Sequence, residues 1–206
     1  MATTTTARRG IAAGTWRTID LMTAAVIGVV FGVVYWGWSA AYTALSTPFS
    51  NALGPLVGLL GGPWLIAGVV SGLVVRRPGA ALFAELLAAA VEALLGNEWG
   101  WTTLIAGGLQ GLGVEVALAL FFFRRFTWPV AALGGALAAL FEFGYEWHAY
   151  LQGYKLEYKL GYLGFFALSG AVVAGIGGWL LTRALAASGA IDALPAGQES
   201  AAADPA

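Results

Sequence analysis

The sequence has no cysteine and one histidine, and only 10% of its 206 residues are charged. The missing cysteines exclude disulfides, thiolate metal sites and cysteine nucleophiles. The single histidine, His148, has no second imidazole with which to complete a zinc site or a His-Glu-x-x-His motif, so no metal is expected. No Gly-x-x-x-x-Gly-Lys-Ser/Thr loop is present to bind ATP, and no Gly-x-Ser-x-Gly elbow to carry a serine nucleophile. A net charge of −1 argues against a nucleic-acid partner. A water-soluble domain carries about 25% charged residues. This chain lacks the polar surface to face water on all sides.

What remains is apolar. Hydrophobic residues make up 59% of the chain, and its mean hydropathy is +0.78. Thirty glycines fit closely packed membrane helices. A helix needs roughly 20 apolar residues to cross the hydrocarbon core. Six stretches approach that length, at 19–42, 52–75, 79–95, 101–123, 128–150 and 158–185. The expected fold is therefore all-α, an integral membrane bundle of six transmembrane helices over residues 16–186. Pro55 and Pro63 fall inside the second stretch and predict that it is kinked or starts late. The flanking segments 1–15 and 187–206, rich in Ala, Thr and Gly, read as poorly ordered tails.

Charge placement gives the orientation. Arg8, Arg9 and Arg17 precede the first stretch, Arg76 and Arg77 separate the second from the third, Arg124 and Arg125 separate the fourth from the fifth, and Arg183 ends the sixth. With six crossings all eight arginines fall on one side, opposite Lys155 and Lys159. The excess of positive charge marks the cytoplasmic side, so both termini are expected in the cytoplasm.

Acidic residues within a membrane are costly and point to function. At about 1.5 Å of rise per residue, Glu92, Glu142, Glu146 and His148 share the outer third of the bundle. Trp36, Trp99 and Tyr145 lie at the same level, and Gln110 lies near mid-depth. Carboxylates ringed by aromatics suit a cationic or protonatable aromatic ligand, because carboxylates accept N–H bonds and indole faces attract positive charge. The other reading of these tryptophans and tyrosines is an interfacial belt. Glu85 and Glu115 lie closer to the cytoplasm, as a shared-proton pair or as part of a hydrogen-bond network. Ala24, Gly28 and Gly32, four apart, form a small-residue ridge that lets another helix approach, from within the chain or from a partner.

Five stretches carry a resemblance: WRTID at 16–20, GPWL at 62–65, RRPGAALFAE at 76–85, ALLGNEWG at 93–100, and GLQGLG at 108–113 followed by Glu115. In these the sequence resembles the substrate-binding S components of energy-coupling-factor (ECF) transporters, most closely the YkoE type assigned to thiamine or its hydroxymethylpyrimidine precursor. The resemblance implies six helices with cytoplasmic termini in a prokaryotic plasma membrane and a vitamin site near the outer face. It implies no cofactor and no catalysis by the chain itself. It also implies partners, a membrane coupling (T) protein and two ABC-type ATPases, with docking through small residues on the first helix, here Ala24, Gly28 and Gly32. Two other readings stand beside it. One is an ion-gradient-driven transporter or channel that uses Glu85 and Glu115 as a proton relay; the other is a membrane enzyme.

The charge pattern makes a direct prediction. Protease added to intact cells is expected to leave tags at both termini uncut, and external cleavage of a C-terminal tag would refute the orientation.

Overall fold

The computed structural model describes residues 15–203, and among these all regular structure is helical. Helix α1 spans Thr18–Leu53 and passes through Pro48. Two 3-10 segments follow, Gly54–Leu60 and Gly62–Leu65, each with its proline in the first turn. Only then does α2 begin, at Ile66–Val75. The second stretch does start late, for the reason the sequence suggested: proline lacks the N–H that an α-helical ladder needs. Next come α3 (Ala80–Leu95), α4 (Thr103–Leu120) and α5 (Trp128–Ala149). The last long run is α6 (Leu156–Ser169), a π-helical segment (Gly170–Ile176) and α7 (Gly177–Ala187). A short α8 covers Pro195–Ala203.

Among the described residues, four helical runs are long and apolar enough to cross a membrane: Thr18–Val75, Gly100–Leu120, Trp128–Ala149 and Leu156–Ala187. The first is 58 residues long and is broken by the 3-10 segments into two legs. Helix α3, with 16 residues, is shorter than a full crossing. Apolar side chains such as Met22, Val26, Val30 and Val33 stand exposed along the outer face of α1. A surface so apolar is suited to lipid.

Small residues bring the helices together. On α1 the buried stripe is Asp20, Ala24, Gly28, Gly32, Tyr35 and Ser39. It lies against α3: a Cβ added to Gly28 would sit 2.8 Å from the Ala84 carbonyl oxygen, and one on Gly32 would sit 2.5 Å from Val91 Cβ. The ridge Ala24, Gly28, Gly32 expected to receive a coupling partner is thus filled by the chain's own α3, and this corrects that assignment. A small-residue stripe licenses close approach without saying which helix approaches. The same device recurs where α5 crosses the π-helical segment, with a Gly135 Cβ position 2.0 Å from the Gly170 carbonyl oxygen.

The late start of α2 leaves its first backbone N–H groups inside the bundle, where water cannot satisfy them. Tyr35 of α1 accepts the Ala67 N–H at 2.8 Å and donates its own hydroxyl to Glu85 Oε1 at 2.9 Å. The other oxygen of Glu85 accepts the Gly68 N–H. Glu115 of α4 does the same for α3, accepting the Ala81 N–H at 2.8 Å. These two carboxylates form a structural hydrogen-bond network, one of the two readings open from sequence, with each committed to the start of a different helix.

One end of the bundle is tied by charge. Fully buried Asp20 accepts from Arg17 at 2.7 Å and from Arg77 at 3.2 Å, and the Trp16 indole donates to the Pro78 carbonyl at 3.2 Å. The stretches 16–20 and 76–85 therefore meet in space. The segment after α7 packs as well. Ile191, Leu194 and Ala196 are buried with Val70, Val74 and Val75 of α2, and Glu199 pairs with Arg76. The described part of the tail expected at 187–206, as far as residue 203, is thus in contact with the bundle through three apolar side chains that its alanine-rich composition conceals. The expected N-terminal tail lies outside the described residues as far as residue 14.

Two predictions follow from this packing. Tyr35→Phe removes the acceptor of the Ala67 N–H and should cost about 1–3 kcal/mol, read as a lower thermal midpoint of the purified protein in detergent. Gly32→Leu, which drives a side chain into Ala88 and Val91, should destabilise the isolated chain. Gly37→Leu, at a position with nothing within 4 Å, should not.

Candidate ligand site

A cavity of about 480 Å³ opens at the end of the bundle opposite the Asp20 cluster. Its walls come from the last turns of α1, the 3-10 segments, the end of α3, the start of α4, the end of α5 and the first half of α6. The 3-10 segments matter most to its shape. Their irregular path presents Val57, Gly61 and Trp64 to the cavity where a straight helix would have filled the space.

The wall is aromatic with carboxylates set into it. Trp64 packs edge-on against Tyr42 at 5.1 Å and against Trp99 at 5.6 Å between ring centroids. Opposite them, Tyr154 stacks on Tyr158 at 4.4 Å. Such edge-to-face and offset pairs fix ring orientations. Glu92 is 1% exposed; its Oε1 accepts from the Ser39 hydroxyl and from the Trp64 indole at 3.1 Å. Glu142 accepts from the Gln110 amide at 2.7 Å, and Glu146 Oε1 accepts from the Tyr162 hydroxyl at 3.2 Å. The second oxygens of Glu92 and Glu146 are buried with no hydrogen-bond partner among the described residues. Buried polar atoms are nearly always paired. Two cavity-lining carboxylates thus each keep a buried oxygen with acceptor capacity that the described residues do not satisfy.

Six of the eight residues singled out from sequence line this cavity: Glu92, Glu142, Glu146, Gln110, Trp99 and Tyr145. Trp36 and His148 do not. Both have the expected depth but point another way around their helices. Trp36 follows buried Tyr35 by one residue, is 44% exposed, and donates to the Gly96 carbonyl at 3.0 Å. His148 lies two residues past Glu146, half a helical turn away, and its side chain is exposed. The sequence reading passed over Trp64, Tyr42, Glu98 and Ser39 as site residues. For Trp64 a signal existed: it follows Gly61, Gly62 and Pro63, and irregular backbone at membrane depth survives only where it is buried in protein or lines a cavity.

Among the described residues, no three His, Cys, Asp or Glu side chains come together in a way that could hold a metal ion.

A polar, aromatic-walled cavity at one end of an otherwise lipid-facing helical bundle is the form of a membrane protein that binds a small polar molecule. Comparison with known proteins is specific. Residues 19–141 match the family described as the ABC-type cobalt transport system, permease component. The chain is 33% identical, over 193 residues, to YkoE of Bacillus subtilis (strain 168), assigned as an HMP/thiamine permease protein; the match covers 89% of this chain and 92% of that one. It superposes on the crystal structure of an S-component of an ECF transporter with a TM-score of 0.83 and 31% identity, covering 90% of this chain and 93% of the other. The chain belongs to the S components of ECF transporters, the substrate-binding membrane subunits of vitamin uptake systems. It is a multi-pass protein of the plasma membrane and a transport subunit, not an enzyme.

The geometry makes a prediction about the aromatic wall. A ligand stacked there lies against Trp64 and Trp99, so saturating ligand should quench tryptophan emission of the purified protein. Trp64→Phe should remove much of that change, while Trp101→Phe, at an exposed position outside the cavity, should leave it intact.

Proposed function

We propose that the cavity captures thiamine or its hydroxymethylpyrimidine precursor from outside the cell, by way of the side chains of Glu92, Glu142, Glu146, Gln110, Trp64, Trp99 and Tyr145. The bundle crosses the membrane six times, with α3 as its shortest leg and both termini in the cytoplasm. A membrane coupling protein and two ABC-type ATPases supply the ATP-driven rearrangement that releases the ligand inward. The coupling protein docks on a face other than the ridge that α3 occupies.

One observation carries the ligand reading: Glu92 and Glu146, each with an unpartnered buried oxygen, line an aromatic-walled cavity. An aminopyrimidine is flat enough to lie against indole and phenol rings, and its exocyclic amino group donates N–H bonds of the kind a carboxylate accepts. The thiazolium of thiamine adds a positive charge that both the carboxylates and the ring faces attract. The relationship to a protein assigned as an HMP/thiamine permease points the same way. The rival proton-relay reading loses its basis, because Glu85 and Glu115 are engaged as helix caps.

Calorimetry on the purified full chain tests the assignment. Thiamine or hydroxymethylpyrimidine should bind tightly, and Glu92→Gln or Glu146→Gln should weaken binding about 10-fold or more, equivalent to about 1.4 kcal/mol. Undiminished affinity in both variants would place the ligand elsewhere.

A further inference from the structure

We infer that the cavity is also a charge filter, which accepts its ligand in the neutral or cationic form and rejects phosphate esters of the same molecule. This rests on the ligand reading above and adds the chemical form that is taken.

Among the described residues, four carboxylates line the cavity, Glu92, Glu98, Glu142 and Glu146, and no Lys, Arg or His does. Glu92 and Glu146 each also keep one buried oxygen without a hydrogen-bond partner among the described residues. The charged groups of the lining are therefore all acceptors. A phosphate monoester brings acceptors of its own and about −1.5 to −2 units of charge. It is recognised by the opposite equipment, arginine forks, lysines, or free backbone N–H groups at a helix start.

Each nearby source of such donors is already committed or lies outside. Lys159 sits beside cavity-lining Tyr158 on α6, but it is buried, with its ammonium 4.2 Å from the centre of the Trp147 ring. Lys155 and His148 are exposed and do not line the cavity. The start of α4 reaches the cavity with its donors in use. Gly100 N–H donates to Asn97 Oδ1 at 2.6 Å, Thr102 N–H to the Trp99 carbonyl at 3.3 Å, and Thr103 N–H to the Gly100 and Trp101 carbonyls. The hydroxyls of Thr102 and Thr103 each donate to a backbone carbonyl at 2.7 Å. The Gln110 amide is held by Glu142. A phosphate in this cavity would meet carboxylates without a counter-charge, at an effective dielectric well below that of water.

The test compares three forms of one ligand by calorimetry on the purified full chain: the free alcohol, its phosphate monoester, and the neutral dimethyl phosphate triester, which is larger than the monoester. The monoester should bind at least about 100-fold more weakly than the alcohol, the triester should recover most of the difference, and Glu98→Gln should narrow the gap between monoester and alcohol. A monoester that binds within threefold of the alcohol overturns the filter while leaving the ligand assignment standing. A triester as weak as the monoester overturns it too, because size would then be the cause. Failure of the free alcohol itself to bind removes the ligand assignment and the filter together.

Discussion

Helix α2 begins in the middle of the protein, and a helix that begins there exposes backbone N–H groups with no water to receive them. Glu85 from α3 and Tyr35 from α1 take up the Gly68 and Ala67 N–H groups and are joined to each other by a hydrogen bond. Three separate legs are thereby fixed at one buried point. A lost acceptor in so dry a place carries the full desolvation penalty of the donor left behind. The glutamate is thus a structural requirement of the broken leg, even though an isolated acidic residue at that depth invites a functional reading.

The break that Glu85 and Tyr35 sustain is also what creates the binding space. A continuous helix through 54–75 would have placed side chains regularly on all faces. The two proline-led 3-10 segments instead hold Gly61 against the Phe166 ring and turn Trp64 inward, where its indole meets Glu92. Close glycine crossings elsewhere, Gly135 on Gly170 and Gly113 on the Ala138 backbone, keep the rest of the bundle tight, so that the open volume gathers at one end. The carboxylates differ in how they are satisfied: Glu85 and Glu115 spend oxygens on helix starts, whereas cavity-lining Glu92 and Glu146 each keep one oxygen unpartnered among the described residues.

Much of this could be read from the sequence because depth along a helix follows directly from residue number. Glu92, Glu142 and Glu146 were placed at one level by counting, and they do share a wall. Direction around the helix is harder, because it depends on which neighbour each face meets. That is why Trp36 and His148, at the right height, point away, and why the Ala24, Gly28, Gly32 stripe met α3 and not a partner. Trp64 was hidden for another reason: its direction is set by a 3-10 path for which helical periodicity gives no guide. The buried Ile191 and Leu194 were obscured by the weak, alanine-rich pattern around them.

The unequal lengths of α1 and α3, which pack side by side, have a consequence for the surrounding bilayer. At a rise of about 1.5 Å per residue, the 36 residues of α1 extend about 54 Å and the 16 of α3 about 24 Å. The hydrocarbon core is about 30 Å thick. The long helix therefore stands clear of the hydrocarbon or tilts strongly, while the short one cannot span it alone. Glu92 lies three residues from the end of α3 and lines the same cavity as Ser46 and Ser50, polar positions in the last turns of α1. This mismatch produces a step in the protein's outline. At that step the hydrocarbon must thin or give way to water.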